Sequence, residues 1–212
     1  MALLLLVSPV SFAKAAPKKA TLSVKDVDGV LAKYRRAPAI QAKVKKTVVQ
    51  ETMGMENTST GDFYFSKGKL RLDFTEPERT SLVYDGRFVW LESRLDDKNI
   101  QVTKMRTNEL KRSKSVLTAL FEKEDVLRNF KLVKSAEKDG SKNYFFEPKK
   151  KRAEDEIQLL QIVLKNKDLE RISYRDQLEN TVSFDFTEMT KGKVPAAKFS
   201  YKVPKNAQVT EI

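Results

Sequence analysis

The stretch "SLVYDGRFVWLE", residues 81–92, sets Asp85-Gly86, a dipeptide favoured in tight hairpin turns, between two apolar runs. Strand side chains alternate. A two-residue turn at Asp85 and Gly86 therefore puts Leu82, Tyr84, Val89 and Leu91 on one face and Val83, Phe88 and Trp90 on the other. Both faces are apolar. An antiparallel hairpin ordinarily leaves one face to water, so each side here needs a cover: a helix, a second sheet, a partner or a ligand.

Upstream, Ser23 can cap a helix in which Val24, Val27, Leu31 and Tyr34 fall at helical spacing, and the pattern stops before Pro38. From Ala39 the period becomes two. "GDFYFSKGKLRLDF" reads as two strands about Lys67-Gly68, with Leu70, Leu72 and Phe74 on one side and Arg71 and Asp73 on the other. After the hairpin at Asp85-Gly86 comes the strand "NIQVTKM". The β pattern then breaks where Val116, Leu117, Leu120 and Phe121 cluster on one helical face, with a further turn near Val126 and Leu127. Strands are expected again at Phe130 to Ala136, Asn143 to Glu147, Ile157 to Leu164, Leu169 to Arg175, Thr181 to Thr187 and Ala197 to Val203. The sum is a mainly β (α+β) chain: about ten or eleven antiparallel strands with two or three helices. So many strands in one domain curl, and a single curved sheet with helices over its concave side fits their order.

A chain of 212 residues can bury one sizeable core, and one domain is expected. Residues 1–15 have the layout of a secretory signal, an apolar run from Leu3 to Ala13 before Ala13-Lys14-Ala15, though a basic leading segment is missing. Residues 16–21 would follow as a loose tail, and 22–212 as the domain. With no cysteine there is no disulfide and no acyl-anchored cysteine; with no histidine the commonest general base and metal ligand are missing. No catalytic residue, metal or cofactor is expected. The net charge of +12 raises the question of nucleic acid, but the basic residues are spread out, and the run "KKKR" at 149–152 is followed at once by Glu154-Asp155-Glu156. A solvated surface with no nucleic-acid partner is the expectation.

The order of elements and several local patterns resemble the LolA family, periplasmic carriers of lipoproteins to the outer membrane. The resemblance runs from about Leu22 to Val209 and is carried by "GDFYFSKGKLRLDFTEP" (61–77), "LVYDGRFVW" (82–90), the mid-chain helices and "AAKFSYKVPKNAQV" (196–209). It implies an incomplete β-barrel whose helices form a lid over a hydrophobic cavity. Leu70, Leu72 and Phe74 match cavity-lining positions, and Leu82, Val89 and Leu91 are expected beside them. Val27, Leu31, Val116, Leu117, Leu120 and Phe121 would form the lid side. The family's arginine before the "GK" turn, which latches the lid, is absent. Lys67 stands nearest to it, and a lysine offers three rotatable donors where arginine offers a planar fork of five.

The resemblance implies a soluble, exported, monomeric carrier in the periplasm. It would take acylated lipoproteins from an inner-membrane lipoprotein-releasing transporter and pass them to an outer-membrane acceptor. The alternative is an envelope sensor or regulatory module on the same half-barrel, which binds a lipoprotein or lipid without ferrying it. A nucleic-acid binder and an enzyme are the remaining readings, the first resting on net charge alone.

Overall fold

The protein is seen in a computed structural model that describes residues 23–106, 116–122, 126–150 and 157–212. The expected signal and tail and the acidic run 154–156 lie outside the described residues.

Helix α1 spans Val24–Arg35. Its start is a capping box: Ser23 Oγ accepts the Lys25 N–H at 3.2 Å, and Asp26 Oδ2 accepts the Ser23 N–H at 3.0 Å. The expected spacing holds, since Val27, Val30, Leu31 and Tyr34 are its buried positions. Helix α2 spans Val116–Glu122, and a short 3-10 turn follows at Val126–Asn129.

The strands are β1 (Ala39–Gln50), β2 (Met55–Ser66), β3 (Lys69–Glu76), β4 (Arg79–Tyr84), β5 (Phe88–Arg94), β6 (Ile100–Arg106), β7 (Phe130–Lys138), β8 (Ser141–Pro148), β9 (Leu159–Lys165), β10 (Asp168–Arg175), β11 (Asn180–Gly192) and β12 (Gln208–Glu211). They form one open, curved 12-stranded sheet in the order β12-β6-β5-β4-β3-β2-β1-β11-β10-β9-β8-β7. Apart from β12, which runs parallel to β6, neighbours are antiparallel. Strand β1 therefore joins two meanders, β2 to β6 on one side and β11 back to β7 on the other. The apolar positions of both turn toward α1 and α2, which makes this concave face the core.

Three details differ from the sequence reading. The hairpin loop is longer than two residues: Tyr84 pairs with Val89, and the Asp85 N–H donates to the Phe88 carbonyl at 3.1 Å. A two-residue turn would have paired Tyr84 with Arg87. The register has thus slipped by an even number, so every side chain keeps its expected face. Second, the strand expected at Ala197 to Val203 is a 3-10 turn at Ala196–Phe199 followed by irregular chain. Third, the last strand is β12, which brings the count above the expected ten or eleven.

The segment after β11 explains how the hairpin's second face is covered. Arg71 Nη1 donates to the Lys198 carbonyl at 3.2 Å, Tyr201 stacks on Trp90 with ring centroids 5.2 Å apart, and the Tyr201 hydroxyl donates to Glu92 Oε2. Asn206 Nδ2 then donates to the Asp97 carbonyl at 2.7 Å, and Lys104 pairs with Glu211 at 2.7 Å. On this convex side Val83, Val102 and Phe199 are buried.

Candidate functional site

Along β3, Leu70, Leu72 and Phe74 alternate onto the concave face and are buried. The register carries that face outward: Leu72 lies opposite Leu82, and Leu82 opposite Leu91; Leu70 lies opposite Tyr84, and Tyr84 opposite Val89. All the residues expected to line a cavity thus fall in adjoining rows on one surface. Their cover thins toward the β5 side, with Leu82 and Val89 half-buried and Leu91 41% exposed.

The expected lid residues face this surface. Val27, Leu31, Leu117, Leu120 and Phe121 are buried and Val116 is partly buried, all in one apolar cluster with β3. Phe121 is central. Its ring lies 5.4 Å from Phe65, 5.6 Å from Phe63, 6.1 Å from Tyr34 and 6.5 Å from Phe186, centroid to centroid. Such aromatic pairs add about 0.5–1.5 kcal/mol each beyond area burial. From α2, Phe121 thus reaches into the rings of β2, β11 and α1. Phe63 and Phe65 escaped the sequence reading as site residues, although the alternation in "GDFYF" could have placed them beside Leu70 and Leu72.

The two helices are held differently. Helix α1 is tied to the sheet at both ends. The Tyr144 hydroxyl donates to Asp26 Oδ2 at 3.3 Å, Lys33 Nζ donates to the Lys167 carbonyl at 2.9 Å, and the Tyr34 hydroxyl accepts the Leu169 N–H at 3.3 Å while donating to Asp168. Burial, reinforced by the Asp26 carboxylate, pushes the Tyr144 hydroxyl up to about 12. Helix α2 rests mainly on apolar packing. Arg35 Nη1 donates to the Leu120 carbonyl at 3.4 Å, a long contact from one helix to the other. Glu122 reaches the β2–β3 turn, where a Cβ on Gly68 would fall 2.9 Å from its Oε1. Burial, then the nearby Glu122 charge, raises the Tyr84 hydroxyl above its ordinary value.

Lys67, the expected latch, sits in that turn with φ of 33° and an exposed side chain, and makes no hydrogen bond or ion pair among the described residues. A polar contact to α2 does come from Arg35, which sequence reasoning passed over because it falls at the end of an amphipathic helix and carried no motif.

Among the described residues there is no cluster of potential metal ligands, and no helix is long and apolar enough to cross a membrane. The described residues thus form an open, curved sheet with an apolar concave face beneath two short helices.

The sequence model of the family described as outer membrane lipoprotein carrier protein LolA matches residues 35–202. The chain belongs to that family. An outer-membrane lipoprotein carrier protein of Ralstonia nicotianae is 27% identical over 176 residues, which cover 82% of this chain and 79% of the relative. A carrier of the same description from Cupriavidus taiwanensis is 30% identical over 154 residues, covering 72% and 70%. The fold is similar to the crystal structure of an uncharacterized conserved protein from Thermus thermophilus, with a TM-score of 0.54 at 14% identity over 90% of this chain and 100% of the other.

Proposed function

We propose that the protein is a non-enzymatic carrier of lipoproteins across the periplasm, binding their acyl chains between the concave face and the lid helices. The observation that supports this reading best is the setting of Phe121: a lid side chain among aromatic rings from β2, β11 and α1, where an incoming chain would take its place. Exposing an acyl chain costs about 0.8 kcal/mol per CH₂, so a sixteen-carbon chain costs on the order of 12 kcal/mol in water. A face that exchanges its own aromatic ring for the ligand offsets that cost while keeping net affinity modest, which a carrier that must release its cargo requires. Loading by an inner-membrane transporter and release to an outer-membrane acceptor complete the proposal, with Leu70, Leu72, Phe74, Leu82, Val89 and Leu91 as the lining. The lid contact falls to Arg35 in place of Lys67.

The test adds the purified chain to spheroplasts bearing labelled lipoproteins, beside a Leu91→Glu variant. Leu91 is already partly exposed, so the variant is expected to fold. Label in the soluble fraction as a one-to-one complex, lost in Leu91→Glu, is the expected result. Binding without release from the membrane would overturn the carrier in favour of a sensor.

A further inference from the structure

Lys46 breaks the apolar face. It lies on β1 between Val44 and Val48, all turned to the concave side, opposite Ser59 of β2 and Phe184 of β11. Its ammonium stands 5.9 Å from the centroid of the Phe74 ring. No carboxylate among the described residues pairs with it, and burial alone holds it below the ordinary lysine value. Two cations on the convex face of these strands are served otherwise: Lys43 pairs with Asp62 at 2.8 Å and Arg71 with Asp73 at 2.6 Å. A partly desolvated ammonium with only a ring face for company is costly unless an anion joins it.

Its position along the strand completes the geometry. Ala42 lies opposite Phe63, the ring against Phe121. Lys46 is four residues further along β1, about 13 Å at strand spacing, toward the end of the sheet away from Phe121. An acyl chain lying from Phe121 along the concave face would bring its head to this ammonium.

We propose that Lys46 binds the anionic head group of an amphiphile whose acyl tail lies on the concave face. This rests on the acyl-binding reading and adds a ligand class to it: an acyl chain ending in a carboxylate or phosphate. The two sources of that chemistry are a free fatty acid and an anionic phospholipid.

The experiment titrates the purified chain and a Lys46→Met variant with a fluorescent polyene fatty acid and with its methyl ester. A second arm measures uptake of labelled phosphatidylglycerol and labelled phosphatidylcholine from vesicles. Methionine keeps the apolar stem near Phe74 and removes the partly desolvated charge, so the variant's melting temperature should hold or rise. The wild type is expected to bind an anionic probe about tenfold more tightly than its neutral counterpart, the scale of one charge-assisted hydrogen bond, and Lys46→Met should bind both alike. A preference for acid over ester assigns the fatty acid, and one for phosphatidylglycerol over phosphatidylcholine assigns the phospholipid. Equal binding in both arms, or a preference that survives in Lys46→Met, overturns the proposal. If no probe binds yet lipoproteins are still released from spheroplasts, the head-group site falls and the carrier stands; if release fails too, both fall.

Discussion

Asp85 accepts three hydrogen bonds: its Oδ1 takes the N–H groups of Arg87 and Phe88, each at 2.8 Å, and its Oδ2 takes the Trp90 indole N–H at 3.0 Å. Burial works against its ionisation, but these donors outweigh it and hold the carboxyl below its ordinary 3.8. A depressed carboxyl contributes stability above its unfolded value and loses it as pH falls through the folded one. Asp85→Asn should therefore lower the urea midpoint at neutral pH, and its difference from wild type should shrink below about pH 4. Phe121→Ala should cost about 3–5 kcal/mol in urea unfolding, the usual range for emptying a buried aromatic site. Of these two residues, the aspartate was visible in the sequence because its partners lie within five positions. Phe121 was visible only as part of a helical face. The rings around it come from strands and a helix far apart in the chain, and no local pattern announces such a meeting.

Helix α1 is anchored to the sheet by hydrogen bonds at both ends, whereas α2 is joined to α1 by a long contact. Tyr144 is a group whose folded value is raised, so it favours the fold below its unfolded value near 10 and withdraws that contribution as pH climbs toward about 12. Tyr144→Phe should flatten the loss of stability across that window, read by denaturant titration at successive pH values. Arg35→Met should leave the sheet intact yet speed hydrogen exchange of the α2 amides, since it removes a polar contact from α1 to the α2 backbone. Unchanged α2 exchange would dismiss Arg35 as a lid contact. The cap and spacing of α1 were legible because they are local. The strand expected at Ala197 to Val203 was misread because Phe199, Tyr201 and Val203 have period two. Pro195 and Pro204 bracket the stretch, and a proline lacks the N–H that a sheet ladder needs. Its aromatic residues alternate to reach across the outside of the sheet instead.

For the molecule as a whole, the C-terminal segment turns Trp90, the chain's single tryptophan, into a reporter of its own docking. Tyr201→Ala should expose the indole and move its emission to longer wavelength, whereas a buried-state spectrum would mean that the stack contributes nothing to docking. The joining of the two meanders through β1 also bears on how the molecule comes to exist in time. Strands β1 to β6 form from adjacent hairpins as soon as each is available, yet Val44 must wait for Phe186 before β1 has both neighbours. Closing so long a loop comes late and slowly. Refolding should thus show an early phase sensitive to changes in the β4–β5 hairpin and a slower one sensitive to Val44→Ala. Until the second phase ends, the middle of the future sheet is a bare edge, able to pair with a foreign strand.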